Sequence, residues 1–152
     1  MHGWLGVVEG VALLILLVVL SLVLLAVRRR WLNRLGGTFD CSLRLNITTP
    51  GAGWTLGVGR YNEGILEWFR FFSYALRPRK VFHRGEVRVL ATRDPDPVEA
   101  VALNADNRIL RVEMLDTDTD TNREWELAMS PESLTGLLSW LEAAPPGVRR
   151  GE

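Results

Sequence analysis

The run Asp116-Thr117-Asp118-Thr119-Asp120-Thr121-Asn122 opens with the alternating carboxylates of a calcium loop. Such a loop needs glycine at its sixth position and a bidentate glutamate at its twelfth, and these positions hold Thr121 and Leu127. It therefore reads as an acidic hairpin loop. Gly57-Val58-Gly59 begins like a nucleotide fingerprint, but no third glycine opens a helix there. A glycine pair within a strand instead permits a bend at a barrel corner. Nucleophilic catalysis would want a base such as His83 near a serine or Cys41, and nothing in the spacing sets that up. One cysteine and two histidines leave no material for a disulfide framework or a thiolate zinc site. No catalytic residue, cofactor or metal is expected.

Residues suited to binding stand out more clearly. Arg77, Arg79, Lys80, His83 and Arg84 crowd one segment, as either a solvated loop or a contact for anionic lipid or an acidic partner. Just before them, residues 65–74 are dense in aromatics. If Leu66, Trp68 and Phe72 point into a core, alternation sends Phe69 and Phe71 outward. Outward phenylalanines need a cover, a protein partner or the bilayer interface.

These residues must be positioned by a chain of 152 residues, enough for one ordinary domain and a short appendage. With 18 Lys+Arg against 18 Asp+Glu the net charge is zero, which disfavours a general nucleic-acid binder. The charges are unevenly placed. From Arg28 to Arg93 there are 13 basic and 4 acidic residues, and from Asp94 to Glu152 there are 5 basic and 13 acidic. The imbalance suits either a self-solvating globule or a dipole oriented against an anionic inner leaflet.

From Gly10 to Val27 Ser21 is the only polar side chain. As a helix this stretch rises roughly 27 Å, close to the roughly 30 Å of bilayer hydrocarbon. Trp4 and Trp31 bracket it at interfacial depth. A cleaved signal would want basic residues before the run and small residues at its end; here the first nine residues carry Glu9 and no Lys or Arg. The membrane flank is Arg28, Arg29, Arg30 and Trp31, and its arginines with Arg34 put the C-terminal side in the cytoplasm by the positive-inside rule. The unpaired Cys41 agrees with a reducing compartment, where the sequon Asn46-Ile47-Thr48 has no meaning. The expected organisation is a short external N-terminus (1–9), a transmembrane helix with its basic flank (10–30), a linker (31–37), a domain (38–144) and a disordered tail (145–152).

Within 38–129 short alternating runs are broken by turn residues, predicting strands over 38–45, 54–61, 65–74, 86–93, 98–103, 108–115 and 123–129. Asn62-Glu63-Gly64 marks a tight hairpin. Ser130-Pro131 caps a helix whose Leu134, Leu137, Leu138 and Leu141 recur at helical spacing beside Trp140. Seven strands and one amphipathic helix predict a mainly-β barrel with the helix plugging one end, a lipocalin-like barrel or β-sandwich being the alternatives.

That element order resembles the pleckstrin-homology-like barrel, whose C-terminal helix commonly carries a tryptophan, matched by Trp140. The resemblance implies head-group binding by basic residues flanking the first hairpin loop. Arg44 and Arg60 flank it here, while residues 47–53 carry no charge. Gly53-Trp54, Gly57-Val58-Gly59-Arg60-Tyr61, Leu76-Arg77-Pro78, Arg84-Gly85, Val112-Glu113-Met114 and Leu138-Ser139-Trp140-Leu141-Glu142 together resemble the actinobacterial membrane proteins grouped as domain of unknown function 2550. This second resemblance implies a single-pass bacterial protein with no assigned activity. The frequent placement of its members' genes beside those of the ATP synthase points to a partner at the energy-transducing membrane. The expected function is a plasma-membrane-anchored cytoplasmic adaptor binding a membrane-associated protein, with anionic-phospholipid binding as the alternative.

Overall fold

The computed structural model describes residues 2–34, 36–116 and 121–143; Asp118 and Asp120 of the acidic loop and the tail 145–152 lie outside the described residues. Helix α1 (His2–Arg34) contains one stretch, Gly3–Trp31, long and apolar enough to cross a bilayer, as a membrane anchor or a signal sequence would be. It continues through the first half of the expected linker to Arg34. Gly36 and Gly37, with φ of 70° and 63°, then turn the chain in a conformation that other residues rarely adopt.

The rest of the chain forms β1 (Thr38–Arg44), β2 (Trp54–Thr55), β3 (Gly57–Asn62), β4 (Ile65–Arg70), β5 (Lys80–His83), β6 (Val87–Arg93), α2 (Glu99–Ala102), β7 (Arg108–Asp116), β8 (Thr121–Met129) and α3 (Pro131–Glu142). The strand path is β5-β4-β3-β1-β8-β7-β6, antiparallel throughout, with β2 added to β1. Strand β1 changes partners midway. Thr38–Asp40 pair with β3, Cys41–Leu43 with β8, so one strand folds the sheet into two halves around a common interior. Leu43, Leu66, Trp68, Phe82, Leu110, Val112 and Leu127 fill that interior.

Three expectations need correction. The sheet does not close into a barrel: β5 and β6 are its edges, and no ladder among the described residues joins them. Leu137, Trp140 and Leu141 of α3 share a small apolar space with Phe82 of β5 and Val87 of β6, so helix side chains occupy the mouth that a closing ladder would seal. Second, the strand expected over 98–103 is the single turn α2. Asp96 lends its carbonyl to Ala100 N–H, and the Glu99 carboxylate accepts from Asp96 N–H at 3.0 Å, which favours a helical turn over extension. Third, β5 lies beyond Pro78, where the turn residues suggested only a loop.

The hairpin and the terminal helix form as expected. Asn62 pairs with Ile65 across Glu63-Gly64, and Glu63 takes the left-handed φ of 51°. Ser130 caps α3 by accepting from Ser133 N–H at 3.2 Å, and Leu134 and Leu137 are buried. Trp140 packs tilted against the Tyr61 ring, 5.2 Å between centroids.

The glycine pair in β3 serves packing. A Cβ at Gly57 would lie 2.5 Å from the Trp68 ring and from the Phe69 carbonyl; one at Gly59 would lie 2.7 Å from the Phe39 ring. Both glycines are floors on which core aromatics rest. Gly57→Ala should cost about 1–3 kcal/mol in urea unfolding of the full chain in detergent, as overpacking does. Gly136→Ala, where the new Cβ meets only Tyr61 Oη at 4.0 Å, should instead stabilise α3 by up to ~1 kcal/mol.

Candidate functional site

The last turns of α1 do not hang free. Ser21, Leu25 and Arg28, at helical i, i+4, i+7 spacing, are the less exposed positions along residues 21–30. Arg28 is only 9 % exposed; its guanidinium donates to the Ala75 carbonyl from Nε at 3.0 Å and Nη2 at 2.8 Å. Its Nη1 reaches the Arg70 carbonyl at 3.5 Å. On the next residue, the Arg29 guanidinium lies 5.0 Å from the Phe71 ring. At the other end of the stripe the Ser21 hydroxyl hydrogen-bonds the Tyr74 hydroxyl. An apolar groove of about 280 Å³ runs between Leu22, Leu25 and Ala26 of α1 and, on the other side, Val58 and Phe69 of the sheet and Phe71 just beyond it.

This contact revises the expected binding residues. Phe69 does point away from the interior, yet it is 2 % exposed, covered from the groove side and by Arg60, whose guanidinium lies 5.3 Å from its ring. Alternation correctly predicted the face and said nothing of the cover. Strand β4 stops at Arg70, so Phe72 leaves the strand pattern and is 75 % exposed instead of internal, while Phe71 is half-buried. Tyr74 and Leu76 are also exposed. Of the basic flank, Arg28 is a clamp to the domain, whereas Arg30 and Trp31 are exposed.

The basic cluster is not one patch. Arg77 and Arg79 are exposed beside the aromatic loop. Strand β5 then carries the chain away, roughly 13 Å at 3.3 Å per residue, to Arg84 at the β3–β4 hairpin, where its N–H meets the Gly64 carbonyl. Arg84 and Lys80 cover tryptophans: the first lies 5.3 Å from Trp140, the second 4.4 Å from Trp125. His83 is exposed on β5 and Cys41 is buried in β1. Burial, with Asp40 beside it, pushes the Cys41 thiol far up, so it stays neutral.

Arg44 and Arg60, which flank the first hairpin loop, are committed elsewhere. Arg60 pairs with Glu67 across β3 and β4. Arg44 donates to Glu126 Oε2 at 2.6 Å and to the carbonyls of Ala52 and Thr49. It belongs to a buried network that sequence reasoning missed. Arg93 donates to both Glu99 oxygens at 2.7 and 2.9 Å and reaches Glu126 at 3.3 Å, where Arg111 also arrives at 3.3 Å. Trp54 Nε1 adds a contact to Glu99 at 3.4 Å. The hydrogen bond from Arg93 holds the Glu99 carboxyl down at about 2 despite burial. For Glu126 burial pushes upward, but Arg44, Arg93 and Arg111 together outweigh it and hold the group low. The network pairs Arg44 and Arg93 of the basic half with Glu99 and Glu126 of the acidic half, so the two halves of the sequence's charge asymmetry meet there in space.

A family model described as protein of unknown function DUF2550 matches residues 15–147. An uncharacterized protein found in two strains of Mycobacterium tuberculosis is 34 % identical over 142 residues, covering 92 % of this chain and 95 % of the relative. An uncharacterized protein of Mycobacterium leprae is 33 % identical over the same length. The match takes in the clamp residues of α1, the aromatic loop and both buried carboxylates alike, and the chain belongs to the DUF2550 family.

Proposed function

We propose that this chain is a membrane-anchored, non-catalytic interaction module. In this reading α1 spans the plasma membrane with its N-terminus outside, and the β domain meets a protein partner at the cytoplasmic face. The observation that carries it is the Arg28 clamp, which makes the end of the anchor a packed part of the domain. A processed signal would strip Leu22 and Leu25 from the groove over Phe69, whereas a retained anchor keeps that phenylalanine covered. A clamped domain is also presented to the membrane surface in one orientation, which suits an adaptor. The strand path and the helix across the open mouth support an opened relative of the pleckstrin-homology-like barrel. Val98 and Val101 of the α2 segment, 68 % and 90 % exposed, offer an apolar contact on the other half of the sheet.

A photo-reactive residue at Val101 of the full chain, irradiated in native membranes, should give a discrete protein adduct. Arg28→Ala removes the two hydrogen bonds to the Ala75 carbonyl, made by a charged donor and worth about 1.5–3 kcal/mol each, together with the longer one to Arg70, so the docked orientation should fall at least tenfold and the adduct with it. The chain should stay in the membrane fraction. An adduct that Arg28→Ala leaves unchanged, or no protein adduct, overturns the adaptor reading. Adducts with lipid alone select the second reading, anionic-lipid binding, which the exposed Arg77 and Arg79 favour.

A further inference from the structure

We infer that the loop between β4 and β5, residues 71–76, is a second membrane contact that inserts into the cytoplasmic leaflet beside α1. The inference rests on α1 being a bilayer span, as proposed above. Its starting point is depth. Tyr74 is hydrogen-bonded to Ser21, six residues before Val27, the last apolar residue ahead of the arginines. That places the Tyr74 hydroxyl roughly 9 Å along the helix axis on the hydrocarbon side of Val27. Interfacial segments bury their apolar side chains about 5–10 Å into the same boundary.

The composition of the loop fits that depth. Phe72, Tyr74 and Leu76 are 75 %, 59 % and 61 % exposed, and no acidic residue occurs from Phe71 to Lys80. Arg77 and Arg79 follow at once and are exposed, so a greasy tip carries a basic collar at head-group level. Tyrosine at the level of an interface is the placement its amphipathic ring favours.

Backbone groups of a loop at this depth cost less where they are paired internally, and several at the base of this loop are. Here the Ala75 carbonyl accepts twice from Arg28 and the Arg70 carbonyl once. Phe71 N–H donates to the Leu56 carbonyl, Ala75 N–H to Ser73 Oγ and Arg79 N–H to the Trp68 carbonyl. The proline at position 78 has no N–H to satisfy. Arg28 thus has a second role: it ties an otherwise costly loop backbone to the anchor at the depth where water runs out.

The test uses the full chain in vesicles of phosphatidylcholine and phosphatidylglycerol. An environment-sensitive fluorophore is attached at Phe72→Cys, with Leu17→Cys in the helix and Gly64→Cys on the far hairpin as references. Wild type serves as the labelling blank, since Cys41 is 2 % exposed. The Phe72 label should emit to the blue of the Gly64 label, be quenched by nitroxide-bearing lipids and be shielded from iodide, as the Leu17 label is. Repeating the measurement at Leu76→Cys should give the same pattern. If the Phe72 label is as open to iodide as the Gly64 label while Leu17 stays lipid-quenched, the loop insertion is wrong and the anchor stands. A Leu17 label open to iodide overturns the anchor itself. A Phe72 label shielded from both quenchers means that protein covers the loop, and it also overturns the insertion.

Discussion

Glu126→Ala should lower the unfolding free energy of the full chain in detergent by about 3 kcal/mol, near the bottom of the 3–5 kcal/mol range for breaking a buried ion pair. The cost arises on Arg44, whose side chain is 8 % exposed and loses its 2.6 Å partner. It stays near the lower end because the Glu99 Oε1 remains 3.8 Å from the same guanidinium, and the Ala52 and Thr49 carbonyls still accept from it. Arg93 keeps both Glu99 oxygens, and Arg111, 43 % exposed, can turn to water or to Glu124. Glu126→Gln keeps the shape and loses the charge, so it should fall between wild type and alanine. Equilibrium urea unfolding reads the difference as a lower midpoint at unchanged slope. A change under 1 kcal/mol for the alanine variant would show that water reaches Arg44 and that the network is not a buried one.

The same network makes the domain acid-labile in a defined window. Glu99 has a folded-state pKa of about 2 against an ordinary value of 4.5. A carboxylate held low in the fold stabilises it fully above its unfolded value, and that stabilisation drains away as pH falls from about 4.5 towards about 2. The displacement corresponds to roughly 3 kcal/mol at neutral pH, at 1.36 kcal/mol per unit. Glu126 is also held low and contributes with the same sign. Acid protonates carboxylates and leaves guanidinium groups as they are, so the loss belongs to the carboxylates. Melting temperature should therefore be nearly flat above pH 5 and fall steeply between about pH 4.5 and 2. Glu99→Gln should be less stable at pH 7 and show a much shallower acid limb. An unchanged acid limb in that variant would assign the acid sensitivity to other groups.

Several elements were legible because their causes are local. Eighteen residues from Gly10 to Val27 with one hydroxyl specify an apolar helix whatever lies around it. Ser130-Pro131 and the leucine spacing specify α3, and Asn62-Glu63-Gly64 its hairpin, through capping and turn preferences that need only near neighbours. Strand alternation also gave the correct face for Leu66, Trp68 and Phe69. What failed was ambiguous at short range. Residues 98–103 are too few to separate one helical turn from an alternating strand, and the outcome went with the Glu99 carboxylate accepting from Asp96 N–H.

The remainder is long-range and belongs to the tertiary structure. Arg28 reads as one of three equivalent membrane-flanking arginines until Ala75, 47 residues away, presents its carbonyl. Arg44 reads as a head-group ligand until Glu126, 82 residues on, claims it. Phe69 and Phe72 exchange exposure because a helix covers one and the strand ends before the other. Sequence alone determined α1, α3, the β3–β4 hairpin and which side of a strand is greasy, since backbone sterics and hydrophobic periodicity act over a few residues. Which charge is neutralised, which aromatic is covered and which is left exposed were decided only when distant segments packed, because burial and ion pairing depend on what comes to lie within a few ångströms.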